Sequence, residues 1–194
     1  RRIDQQMLPI EHTFYPTHPH RQVSRGSFQR SQLTQITSVP RLISMTPDEI
    51  VEFVTGLGGT IVVVASEEDG APETAWGDTF FFYDPDGVTV PEKRMPYATI
   101  VVNDYPGFDD SSDLSRPGIF RVNMAVSRET FEGRIPAEDT TDYSVLDEVI
   151  PHPIYATQSW LSVLNQESAT SETVRDLLTE AHDRARTRYK KQHG

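Results

Sequence analysis

His152 lies between Pro151 and Pro153 and is followed by Ile154 and Tyr155. Imidazole titrates near neutrality, so a histidine held between two prolines can take or give a proton. Acid–base work needs an orienting partner. Asp78 and Asp104 are the carboxylates assigned to that role, in a hydrolase-like reading. A histidine that only hydrogen-bonds backbone fits the same sequence. Another set of residues suits binding. Arg116 and Arg121 carry guanidinium groups, which pair with carboxylate or phosphate. Arg116 can instead pair with an aspartate of its own loop. Trp76 and Trp160, with Tyr155 nearby, can floor a pocket for an aromatic ligand, or simply pack as core.

Other patterns exclude chemistry. The chain has no cysteine, which rules out disulfides, thiolate nucleophiles and cysteine-held zinc or iron–sulfur sites. The run Asp104-Tyr105-Pro106-Gly107-Phe108-Asp109-Asp110-Ser111-Ser112-Asp113 gathers carboxylates. It lacks the central glycine and final glutamate of a calcium loop, so it reads as solvated. There is no Gly-x-x-x-x-Gly-Lys, Gly-x-Gly-x-x-Gly, Gly-x-Ser-x-Gly or His-Glu-x-x-His. No metal site and no cofactor is assigned.

These residues need elements to hold them. Thr46-Pro47-Asp48-Glu49 is a capping box that opens a helix with Ile50, Phe53, Val54 and Leu57 on one side. Thr60–Ala65 and Thr74–Tyr83 read as strands, the latter bearing Trp76 and Asp78. Asp84-Pro85-Asp86-Gly87 is a turn. Tyr97–Asp104 is a third strand. Ile119–Val126 is a fourth, alternating Phe120, Val122, Met124 and Val126 with Arg121, Asn123 and Ala125. That alternation turns Arg121 away from the face bearing Phe120 and Val122. Ser127 caps a short helix through Phe131, and a helical turn is expected around Tyr143–Val149. Gln158–Asn165 is a fifth strand. A helix from Ser171 to Lys191 carries the stripe Val174, Leu177, Leu178, Ala181, Ala185 and Tyr189. The order α-β-β-β-β-α-β-α implies an α+β fold: a five-stranded antiparallel sheet with helices packed on one face.

Composition agrees. Of 194 residues 36% are hydrophobic and 24% charged, which suits a globular protein and is too apolar for wholesale disorder. No apolar run approaches the roughly 20 residues of a membrane helix. Residues 1–44 differ from the rest. Six arginines there face only Asp4 and Glu11, giving +4, and the stretch has no sustained period. Tyr15-Pro16-Thr17-His18-Pro19-His20 cannot be a helix interior. This segment is expected to be a disordered basic leader, and residues 45–194 a single domain. The total is −11, so residues 45–194 carry −15. Such a domain repels phosphate backbones, which argues against nucleic acid as a partner. A small molecule or a protein fits better. The absence of cysteine is compatible with a reducing, cytoplasmic setting.

Four stretches carry a family resemblance. They are Ala75-Trp76-Gly77-Asp78 with Phe80-Phe81-Phe82-Tyr83-Asp84-Pro85, and Met95-Pro96-Tyr97-Ala98-Thr99-Ile100 with Asp104-Tyr105-Pro106-Gly107-Phe108. Then come Arg116-Pro117-Gly118-Ile119-Phe120-Arg121-Val122-Asn123, and Pro151-His152-Pro153-Ile154-Tyr155 running to Trp160. On these, residues 45–190 resemble an uncharacterised bacterial family known only as a domain of unknown function. More distantly, the element order is similar to MmcQ/YjbR-like proteins of CyaY-like fold. The Phe-x-Val-Asn strand at Phe120–Asn123 and the Trp-bearing strand before the last helix carry that likeness. It implies the antiparallel sheet and, from proposals for some relatives, nucleic-acid binding. The residues themselves point first to a binding module for a small anionic or aromatic ligand, or for a protein. Arg121, Trp76 and Trp160 would lie on an exposed sheet face, with Arg116 and His152 at its rim and Tyr155 a further ligand-binding candidate.

Overall fold

The computed structural model describes residues 44–87, 95–135 and 141–193. The expected leader falls outside them except for Ser44. The capping box forms as its residues dictate. The Thr46 hydroxyl accepts from the Glu49 amide at 3.2 Å, and the Glu49 carboxylate accepts from the Thr46 amide at 2.9 Å. Helix α1 (Pro47–Gly56) follows and buries Ile50 and Val54. Its exit needs glycine. Gly59 has φ +66°, and a Cβ there would stand 3.0 Å from the Tyr83 ring.

Among the described residues six strands form one antiparallel sheet: β1 (Thr60–Val64), β2 (Thr79–Tyr83), β3 (Ala98–Val101), β4 (Arg121–Ala125), β5 (Ile150–Pro151) and β6 (Trp160–Leu164). The spatial order is β1-β2-β3-β4-β6-β5. Helix α2 (Arg128–Arg134) links β4 to β5, and α3 (Ser171–His193) closes the described fold. Because side chains alternate along each strand, the sheet has two distinct faces. Phe81, Ile100, Val122, Met124, Leu161 and Val163 point to one. There they join Ile50 and Val54 of α1, Phe131 of α2, and Val174, Leu177, Leu178 and Ala181 of α3 in a single core. The helices thus occupy one face of an α+β fold.

Three expectations need correction. Among the described residues the sheet has six strands, not five. Ile150–Pro151 is the sixth, two residues long with a proline, too short to show a period. The strand expected from Thr74 begins at Thr79, because Glu73–Ala75 forms a 3-10 turn and Gly77, at φ +89°, bends the chain again. Tyr143–Val149 forms turns rather than a helix. Asp142 ties the Ser144 amide and hydroxyl through its Oδ1, and Asp147 takes φ +55°.

Candidate functional site

The other face of the sheet is not bare. Phe80 and Phe82 of β2, Thr99 and Val101 of β3, Arg121 and Asn123 of β4, and Trp160 of β6 all line a cavity of about 330 Å³. Loops wall it in. Tyr105, Phe108 and Asp109 come from the loop after β3, and His152 and Tyr155 from the turn after β5. Met95 and Phe108 are 37% and 50% exposed, an apolar rim.

Arg121 lies on the floor and is fully buried. Its side chain faces away from the helices, as the alternation along β4 requires. It is not on an exposed surface, however, because the 105–112 loop covers it. Nη1 donates to Asp109 Oδ1 at 3.0 Å and to the Ser112 hydroxyl at 2.7 Å, and Nη2 pairs with Asp109 Oδ2. Nε donates to Asn123 Oδ1 at 3.0 Å. Asn123 in turn accepts from Ser162 and donates to Thr99. Four of the five guanidinium N–H groups are engaged, leaving one without a partner among the described residues. Asp109 balances the charge.

His152 is buried beside Tyr155 and Trp160. The ring centroids lie 4.9 Å and 6.1 Å from that of His152. Its Nδ1 accepts from the Ile154 and Tyr155 amides at 3.1 Å and 3.4 Å. An accepting Nδ1 is unprotonated, so the network assigns the ring hydrogen to Nε2. Burial, then the nearby charge of Arg121, holds the imidazole pKa well below its ordinary value. His152 is therefore a neutral donor and hydrogen-bonds no carboxylate among the described residues. Neither carboxylate expected to orient it does so. Asp104 lies outside the cavity lining. Its Oδ2 accepts from the Ser115 amide at 3.2 Å, while its Oδ1 is buried without a partner among the described residues.

Asp78 is wholly buried behind the wall. Its Oδ1 accepts from the Val102 amide at 2.8 Å, and its Oδ2 accepts a short hydrogen bond from the Tyr105 hydroxyl. Burial raises its pKa to about 7 against the opposing pull of Tyr105, Val102 and Arg121, with Asp109 adding to the rise. The Tyr105–Asp109 loop is closed on itself. Each of these two residues donates its amide to the other's carbonyl at 2.9 Å. One short loop thus carries the phenol bonded to Asp78 and the carboxylate bonded to Arg121.

Of the expected site residues, Arg121, His152, Tyr155 and Trp160 come together. Trp76 does not join them. It caps the 3-10 turn ahead of β2, and its indole N–H bonds the Ala71 carbonyl at 2.9 Å. Arg116 is also elsewhere. It fastens its own loop, reaching Asp113, the Ser112 carbonyl and the Ser144 carbonyl. Sequence reasoning missed Tyr105, Asn123 and the Asp109–Ser112 pair. Asn123 had a signal, its place two residues from Arg121 on the same face. Asp109 had none, since a buried aspartate in an acidic run looks like its solvated neighbours. Among the described residues no group of three or more histidines, cysteines or acids could hold a metal.

A family model described as a family of unknown function (DUF6194) matches residues 45–194. No curated protein and no solved structure matches the chain.

Proposed function

The chain belongs to the DUF6194 family of unknown function, and we propose that its domain is a binding module for a small aromatic molecule bearing a hydrogen-bond acceptor. The observation that carries this reading is an excess of donors in an aromatic cavity. His152 Nε2–H, the Trp160 indole N–H, one N–H of Arg121 and one of Asn123 belong to lining residues and have no partner among the described residues. A small number of polar groups among aromatic walls is the usual make-up of a ligand site. Phe80, Phe82, Tyr155 and Trp160 offer ring faces to an aromatic body. Because Arg121 is already neutralised by Asp109, a carbonyl-type acceptor suits the floor better than a full anionic charge.

Acetophenone and ethylbenzene test this, being close in shape but differing in the acceptor. Acetophenone should raise the melting temperature and quench Trp160 fluorescence, and ethylbenzene should do so more weakly. A ligand at a hundredfold excess over its Kd adds about 2.7 kcal/mol to stability. Trp160→Phe, which removes the N–H and keeps an aromatic ring, should narrow the gap between the two. Equal response to both compounds would remove the donor argument, and no response to either would remove the site.

The hydrolase-like reading loses support from the His152 proton on Nε2, which makes that residue a donor. The nucleic-acid reading, with the MmcQ/YjbR-like layout, rests on element order and two strand patterns, and the −15 of residues 45–194 opposes it. No helix among the described residues is long and apolar enough to cross a membrane.

A further inference from the structure

Tyr105 differs from the four open donors of the cavity because its hydroxyl is already committed. The O–H points to Asp78 Oδ2, so while Asp78 is ionised Tyr105 can only accept from a ligand. Protonation of Asp78 reverses this. The new carboxylic O–H can donate to the phenol oxygen, and the phenol O–H is released toward the cavity that Tyr105 lines. We propose that Tyr105 and Asp78 form a proton-controlled donor in the cavity wall, so that the domain captures an aromatic ligand bearing a carbonyl acceptor together with one proton. This rests on the cavity being a binding site. The exchange balances simply. One proton passes from water to Asp78, the single Tyr105–Asp78 hydrogen bond reverses direction, the phenol O–H bonds the ligand's acceptor, and no covalent bond to the ligand forms.

The surroundings make Asp78 the group that titrates. It has no exposure, and Val102 N–H, Tyr105 and Asp109 of the segment after β3 and Arg121 of β4 act on it. Arg121 favours the ionised form and Asp109 the neutral one, and these two are paired with each other. Burial dominates and sets the pKa to about 7. The Tyr105 phenol is held far above its ordinary value by burial and then by Asp78, so it keeps its proton. His152, across the floor beside Arg121, is held neutral. Of Asp78, Tyr105 and His152, it is therefore Asp78 that changes state near neutrality, where solvent pH can drive it.

Calorimetric titration of the full chain from pH 5.5 to 9 is the test, with acetophenone as an acceptor-only probe and indole as a donor-only probe. Neither probe titrates in that range. Acetophenone affinity should be level below about pH 7 and fall by about tenfold per pH unit above it. Heats measured in two buffers of different ionisation enthalpy should then show proton uptake approaching one per ligand. Indole affinity should not fall with rising pH. Asp78→Asn, whose amide offers the same donor permanently, should bind acetophenone tightly and evenly across the range. Tyr105→Phe should bind it weakly and evenly. Should Asp78→Asn fail to fold, the wild-type pH series and its proton count decide alone. Acetophenone binding that is flat with pH and takes up no proton overturns this proposal and spares the cavity reading. No binding of either probe at any pH overturns both.

Discussion

Arg121 is the residue on which the non-helical face depends. A fully buried guanidinium is tolerable only with its charge matched and most of its donors engaged, and Asp109, Ser112 and Asn123 do both. Arg121→Ala is expected to cost about 3–5 kcal/mol in denaturant unfolding, because it strands Asp109 in a site 8% exposed. Replacing both partners, Arg121→Met with Asp109→Leu, should recover most of that loss. If the double variant is no more stable than the single one, the pair contributes through something other than charge balance. The sequence shows which face Arg121 takes, because a period of two separates it from Phe120 and Val122. It does not show that the residue is covered. The cover is a loop, and loops carry no period. For the same reason Trp160, on a strand, was legible as a neighbour of Arg121 while Tyr105 and Asp109, on the loop, were not; His152, on a turn, was singled out by its residue type alone.

At the scale of elements, the segment leading into α3 hangs on Asp147. Its carboxylate accepts from the Glu167, Ala169 and Thr170 amides and from the Thr170 hydroxyl, at 2.7–3.1 Å. Asp147→Ala leaves these donors without their acceptor, and a loss of roughly 1–3 kcal/mol is expected in thermal or denaturant unfolding. The pH dependence has a definite sign. Partial burial raises the Asp147 pKa, but the four hydrogen bonds outweigh it and the net shift is downward. The contribution is then present above the ordinary carboxylate value of 3.8 and is lost as pH falls through the lower folded value. Asp147→Asn should remove that part of the acid limb, and an unchanged limb would show that other carboxylates set it. Most elements were legible because helix caps, a 3.6 stripe on α3 and strict alternation on β4 are local signals. The late start of β2, the two-residue β5 and the 143–149 turns were not. They follow from a 3-10 turn, a proline and a left-handed aspartate, whose effects depend on what they pack against.

For the whole molecule, the boundary at Met45 can be argued physically. Met45 is 3% exposed, and its carbonyl accepts from Gln166 Nε2 at 2.6 Å. A chain of residues 45–194, which is also the span of the family match, should keep the cooperative melting of the full chain. A chain beginning at Pro47 should melt several degrees lower, having lost a buried side chain and the cap of α1. Equal melting of all three would mean that Met45 and Thr46 contribute nothing. The charge contrast, +4 against −15, was visible from composition. The two-faced sheet followed from strand alternation. The cavity on its second face did not, since it is made by segments far apart in sequence that meet only when folded.

The self-closed Tyr105–Asp109 loop has a consequence for ancestry. Because one rigid clasp presents both the partner of Asp78 and the partner of Arg121, neither pair can drift alone. Related chains should alter positions 78 and 105 jointly, and likewise 109 and 121. A lineage that reshapes the clasp should rewrite all four positions at once.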